Sequence, residues 1–155
     1  MKAYSTKTVS MDKIVKTIAK AFRNGNKVLI CGNGGSAAMA QHMSAEFVGI
    51  YENNVALPAI SLTTDTSIIT AIANDLGYKY IFSRQVDALG KEGDVLITFS
   101  TSGKSKNILE AIKMAKKRGL IVIDMPRSKG EIGKIQLRQL DLTHEICSEV
   151  KRNFR

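Results

Sequence analysis

The sequence predicts an α/β fold, a three-layer sandwich of helices on both faces of a parallel sheet. Four short apolar runs, KVLIC, AISL, DVLITF and LIVID, alternate with amphipathic helical segments, and strands this uniformly apolar are those buried on both faces. A length of 155 residues with 44% hydrophobic and 24% charged side chains suits one hydrophobic core and a single domain over residues 1–155. Neither a linker nor an internal repeat divides the chain.

In chain order, Ile14, Val15, Ile18 and Phe22 recur at helical spacing between Met11 and Phe22, and Gly25 then offers a stop. Lys27–Cys31 is a buried strand, Gly32–Ser36 a turn, and Ala37–Val48 a helix with Met39, Met43 and Phe47 on one side. Ala59–Leu62 is the second strand; a polar turn with Asp65 as cap follows, then a helix beginning at Ser67. A helix over Ile81–Leu89 ends at Gly90, and Asp94–Phe99 is the clearest strand. Ser100–Ser105 forms a small-residue turn, Asn107–Arg118 a helix stopped by Gly119, and Leu120–Asp124 the fourth strand. Beyond a polar stretch from Arg127 to Lys134, a last helix is expected from Ile135 to about Phe154.

Lys and Arg number 23 against 14 Asp and Glu, a formal net charge of +9. Such a surplus suits phosphorylated small molecules, nucleic acid or an anionic surface. The cations are spread along the chain, and the densest runs, Lys116–Arg118 and Lys151–Arg155, fall at expected helix C-termini, where they complement the dipole. This spread argues against a nucleic-acid partner. Cys31 and Cys147 each sit in an apolar run, too few for a disulfide framework or a thiolate zinc site, so a reducing cytoplasmic location is expected. No apolar run approaches the roughly 18 residues of a membrane span, and MKAYSTKTVS lacks the apolar segment of a secretory signal.

Ligands of an open parallel sheet bind beyond the C-terminal strand ends, where helix N-termini present free N–H groups. GNGGS sets three glycines between a strand and a helix, with Asn33 and Ser36 as polar tips; on composition alone it is equally a phosphate or sugar contact and a plain tight turn. STSGKS carries more information, since Ser100, Thr101, Ser102 and Ser105 crowd the entry to a helix that needs only one hydroxyl for capping. That composition suits a metal-free cradle for a phosphate, to which Lys104 can add a charge. His42 and Glu46 share a helix face at i,i+4, as a metal pair, an acid/base pair or an ordinary surface pair would. His144 is the other histidine, so histidine chemistry rests on these two residues. Asn74 and Asp75 are either hydroxyl acceptors or a solvated helix end.

Taken together, GNGGS, QHMSAEFVG, AIANDLGYKYIFSRQV and GDVLITFSTSGKSKNILEAI resemble the sugar isomerase (SIS) domain family in its phosphoheptose isomerase branch, over about Ile14–Asp124. The resemblance implies a flavodoxin-like sheet, a homo-oligomer, usually a tetramer with sites between subunits, and conversion of sedoheptulose 7-phosphate to an aldose heptose 7-phosphate for bacterial surface polysaccharide. Its substrate contacts fall on Asn33, Gly34, Gly35, Asn74, Asp75, Ser100, Thr101, Ser102 and Ser105, with Glu46 and Gln136. Its zinc ligands fall on His42, Glu46, Gln136 and His144, with Glu46 as the base moving a proton between C1 and C2 and His144 as the partner acid. Eight residues of continuous helix would separate Gln136 and His144 by about 12 Å. Either Gln136 precedes the regular helix or the two residues come from different subunits, and a composite site at a subunit interface is the expectation.

The chain departs from the family pattern at Ile50, where arginine is usual, and at Gly133 and Lys134, where an acidic residue and arginine are usual. A short stretch between Asp124 and Ile135 predicts the loss of an edge strand and part of the pocket wall. These departures keep two alternatives open. One is a non-catalytic sugar-phosphate sensor or a partner of the replication initiator, as sister domains are; the other is a bare scaffold.

Overall fold

The computed structural model describes residues 10–126 and 130–154. The elements are α1 (Met11–Arg23), β1 (Val28–Gly32), α2 (Gly35–Val48), β2 (Ala59–Ser61), α3 (Thr66–Asp75), a 3₁₀ turn (Tyr78–Tyr80), α4 (Ser83–Leu89), β3 (Val95–Phe99), α5 (Lys106–Lys117), β4 (Ile121–Asp124) and α6 (Ile132–Arg152). The strands form one parallel sheet in the order β2-β1-β3-β4, with Val28 level with Ala59 on one side and Val95 on the other. This is the flavodoxin-like order with four strands, as the short stretch after Asp124 predicts. Only Met125–Glu131 separate β4 from α6, and no fifth strand occurs among the described residues.

The strand period of 2 sorts side chains between the two faces. Val28 and Ile30 of β1 and Val95, Ile97 and Phe99 of β3 point into a core closed by α1, α2 and α6. Leu29, Cys31 and Leu96 point to the opposite core, closed by α3, α4 and α5. All five residues of β1 and of β3 are buried. In α2, Met43 and Phe47 are buried without residual exposure, and truncating such a phenylalanine costs about 3–5 kcal/mol.

At the sheet's N-terminal edge the Asp94 carboxylate joins the entries of β1 and β3. It accepts hydrogen bonds from the backbone N–H of Lys27 at 3.0 Å and of Lys91 at 2.8 Å, and from Asn26 Nδ2 at 3.2 Å; Lys27 Nζ stands 2.5 Å away. Burial disfavours the ionised form, yet these donors outweigh it and hold Asp94 below the usual carboxylate range.

Most boundaries shift by one residue at most, and the starts of three helices shift by two or three, each for a local reason. The Gly32–Ser36 turn is shorter, because Gly32 still pairs with Phe99 and the helix starts at Gly35. Tyr78–Tyr80 forms a 3₁₀ turn ahead of α4, which begins at Ser83. The last helix starts at Ile132, since a first-turn glycine such as Gly133 sits where backbone N–H groups have no intrahelical partner to lose. Asp65 caps α3 as predicted, accepting from the N–H of Ile68 at 2.8 Å.

Candidate active site

After β1 the chain turns to one side of the sheet and after β3 to the other, so the loops following these adjacent strands part and leave a crevice at the topological switch point. Both loops singled out in the sequence stand there. In the first, Gly34 caps α2 with φ at 55°, a left-handed conformation that glycine adopts without strain. A Cβ on the next residue, Gly35, would fall on the side-chain amide of Gln136, which would have to move aside.

In the second loop, Ser100 Oγ accepts from the N–H of Gly103 at 2.9 Å and Ser102 Oγ from the N–H of Lys104 at 3.1 Å. Two of the four hydroxyls therefore shape the turn. An accepting hydroxyl keeps its own proton to donate, so both remain competent toward an anion. Ser105 caps α5 by its backbone conformation without a side-chain hydrogen bond, and its half-buried hydroxyl is not consumed by the helix. The loops are joined by an amide pair: Asn33 Nδ2 donates to Asn107 Oδ1 at 3.0 Å and Asn107 Nδ2 to Asn33 Oδ1 at 2.8 Å, and the Tyr78 hydroxyl donates to Asn33 Oδ1 at 3.2 Å.

Helices α2 and α6 lie side by side and run in the same direction, with Gly35 against Gln136, Glu46 against His144, and Gly49 against Lys151. This pairing assembles His42, Glu46 and His144 within one chain, their ligand atoms all within 4.8 Å of one another. Glu46 Oε1 stands 2.9 Å from His42 Nε2 and 2.6 Å from His144 Nδ1; the carboxylate side chain is 7% exposed, while the histidines are 42% and 41% exposed. The two imidazoles meet edge to face at 4.9 Å, and the Tyr51 ring lies 5.9 Å from that of His144. Burial, followed by the charges of Glu46 and Glu52, raises the Tyr51 phenol above its ordinary range. Cys147, buried behind Glu46, is held as a thiol by burial and by the Glu46 charge.

Glu46 Oε2 is a buried atom with no hydrogen-bond partner among the described residues, and buried His42 Nε2, though 2.9 Å from Glu46 Oε1, is not aligned with it for a hydrogen bond. Two imidazoles and a carboxylate, converging with one carboxylate oxygen unclaimed, suit a zinc ion's preference for nitrogen and oxygen donors. The structure does not bring Gln136 to this point. It lies inside the regular helix, two turns before His144, with its amide against Gly35. The alternative that Gln136 precedes the helix is thereby corrected. Three of the four expected ligands, not all four, meet within one chain, and the expectation of a composite site stands as it was for Gln136.

Asn74 and Asp75 occupy the last turn of α3, both exposed, with Asn74 Nδ2 donating to Asp75 Oδ1 at 2.8 Å; no hydrogen bond joins them to the other expected site residues among the described residues. Ile50 is 77% exposed just beyond α2. A groove of about 410 Å³ between the 3₁₀ turn, α4 and α5, lined by Leu76, Tyr80, Arg84, Asp87, Lys113 and Met114, holds none of the expected site residues.

Sequence reasoning missed Tyr51, Asn107 and Tyr78. Asn107 stands directly beyond the hydroxyl-rich loop, a signal that was legible; Tyr51 and Tyr78 reach their partners only through the fold.

A parallel sheet with its crevice at the switch point and a histidine–carboxylate cluster two to three turns along α2 from the crevice loop define a ligand-binding domain of the α/β class. The SIS domain profile matches residues 1–125. Over most of its length the chain is 45% identical to the phosphoheptose isomerase of Campylobacter concisus, covering 94% of this chain and 86% of that protein. It is 54% identical to that of Synechocystis sp., covering 92% and 82%. The solved phosphoheptose isomerase of Neisseria gonorrhoeae superposes with a TM-score of 0.84 at 37% identity, covering 92% of this chain and 85% of that one. The chain belongs to the phosphoheptose isomerase family of SIS domains, and it is an enzyme of the isomerase class. Among the described residues no helix is long and apolar enough to cross a membrane.

Proposed function

We propose that this enzyme interconverts sedoheptulose 7-phosphate and D-glycero-D-manno-heptose 7-phosphate in the cytoplasm, supplying heptose for lipopolysaccharide or capsule synthesis. The observation that carries this reading is the Glu46 carboxylate, buried between two histidines with one oxygen unclaimed. An aldose–ketose shift needs one group to take a proton from carbon and another to move a proton between oxygens. Glu46 Oε2 serves as the base that carries the proton between C2 and C1 of the open-chain sugar, through an enediol. His144, held 2.6 Å from Glu46, shuttles the proton between the O1 and O2 oxygens.

Ser100, Thr101, Ser102 and Ser105 cradle the phosphate at the start of α5, where the N–H groups and the helix dipole favour an anion. Asn33, Gly34 and Gly35 hold the sugar from the facing loop, and Asn74 and Asp75 bind hydroxyls from the rim. Zinc, held by His42, Glu46 and His144, supplies Lewis-acid polarisation of the sugar oxygens when bound. Gln136, two turns away along α6, joins a site completed by another copy of the chain in a homotetramer. Support for this assembly comes from the family resemblance, and light scattering measures it directly.

The test is incubation of the purified protein with sedoheptulose 7-phosphate in deuterated buffer, with and without added zinc. Formation of the aldose with deuterium at C2 is expected. Absence of any aldose under both conditions overturns the reading, and thermal stabilisation by the sugar phosphate without turnover marks a sensor instead.

A further inference from the structure

Asn33 is tied to Asn107, whose own orientation is fixed by the backbone. The N–H of Ile108 donates to Asn107 Oδ1 at 3.0 Å, and a backbone N–H can only donate, so the oxygen of the Asn107 amide is placed without ambiguity. The other end of that amide is therefore the NH₂ group that donates to Asn33 Oδ1 at 2.8 Å, while Asn107 Oδ1 receives Asn33 Nδ2 at 3.0 Å. The Tyr78 hydroxyl adds a second donor on Asn33 Oδ1, at 3.2 Å. The oxygen of Asn33 is doubly claimed. Its NH₂ group keeps one N–H without a partner among the described residues. Asn107 is 3% exposed and rests in the first turn of α5, the helix that starts at the hydroxyl-rich loop, whereas Tyr78 is 58% exposed on the 3₁₀ turn.

We propose that Asn107 and Tyr78 are positioning residues that lock the Asn33 amide with its N–H as the group offered to the sugar, so that the loop binding the sugar is set by the helix receiving the phosphate. This rests on the isomerase reading for the identity of the ligand, but the lock is a property of the free protein. An amide so fixed selects an acceptor, an anionic or carbonyl oxygen of an open-chain sugar, over a group that must donate. It also couples the loops: an Asn33 amide that flips loses both bonds to Asn107 and leaves Asn107, a buried amide, half satisfied.

Two measurements decide it. In the ligand-free protein, the ¹⁵N-resolved Asn33 side-chain amide signals are compared between wild type, Tyr78→Phe and Asn107→Asp. Both variants are expected to shift them, Asn107→Asp more, because a carboxylate offers no donor to Asn33 Oδ1 and breaks the reciprocal amide pair. In kinetics on sedoheptulose 7-phosphate, Tyr78→Phe is expected to lower kcat/KM about 3- to 10-fold, the size of one neutral hydrogen bond, with the melting temperature unchanged. The same change made in an Asn33→Ala background is expected to have no further effect, because Tyr78 acts only through Asn33.

Unchanged Asn33 signals in both variants, or a Tyr78→Phe loss that persists in full without Asn33, overturns the proposal. If the wild type neither turns over nor binds the sugar phosphate, the isomerase reading fails and the ligand-free amide signals still decide the lock.

Discussion

Two carboxylates are buried among the described residues, and they sit in opposite electrostatic situations. Asp94, at the N-terminal edge of the sheet, is ringed by two backbone N–H groups, an asparagine amide and a lysine ammonium. Glu46, in the last turn of α2, faces two half-exposed histidines and leaves one oxygen unclaimed. A carboxylate whose lone pairs are all used is a joint in the fold. One buried with capacity to spare costs stability and persists where chemistry or a metal uses it.

The sharpest way to break this contrast is to neutralise both acids. Glu46→Gln keeps shape and burial but removes the base, so kcat is expected to fall roughly 10²- to 10⁴-fold in the deuterium-incorporation assay, with little change in melting temperature. Asp94→Ala reverses the pattern. It strands the donors of Lys27, Lys91 and Asn26 and is expected to cost about 3 kcal/mol in denaturant unfolding, while the folded fraction keeps its turnover.

Zinc at about 100 times its dissociation constant is expected to stabilise the native protein by about 2.7 kcal/mol, read as a rise in melting temperature. A chelator or His42→Ala should abolish that rise. Asp94→Ala should leave it in place.

Acid unfolding separates the two sites further. Because the native state holds Asp94 below its unfolded value of about 4, its contribution is complete above that pH and is lost as pH falls through the lower native value. Asp94→Asn should therefore flatten the acid arm of the stability curve, measured by denaturant titration at a series of pH values. The smallest effect is expected from Ile50→Arg: the side chain is 77% exposed, so stability should change by no more than about 0.5 kcal/mol. If placing arginine there raises kcat/KM, the family's usual cation acts on the ligand rather than on the fold.

What was legible in the sequence followed local rules. The order of strands and helices could be read from apolar runs and helical spacing, the Asp65 cap from its place before a helix, and the two ligand loops from their small residues. The shortened connection after Asp124 announced a sheet of four strands. The boundaries that moved did so where a neighbour intervened, as at Gly32, which stays in the sheet because Phe99 lies beside it.

By itself the sequence determined the α/β layering, the position of the crevice loops and the residue types available for acid, base and metal chemistry, because these depend on period and on neighbours along the chain. Only the tertiary structure decided that α2 and α6 run in parallel, so that Glu46 meets His144 across 98 positions while Gln136 is carried away to Gly35. It also decided that Asn33 is held by Asn107 and Tyr78, residues 74 and 45 positions away. Such pairings are set by how helices pack on a shared sheet, and packing is governed by shape and burial across the whole core rather than by any spacing within one segment.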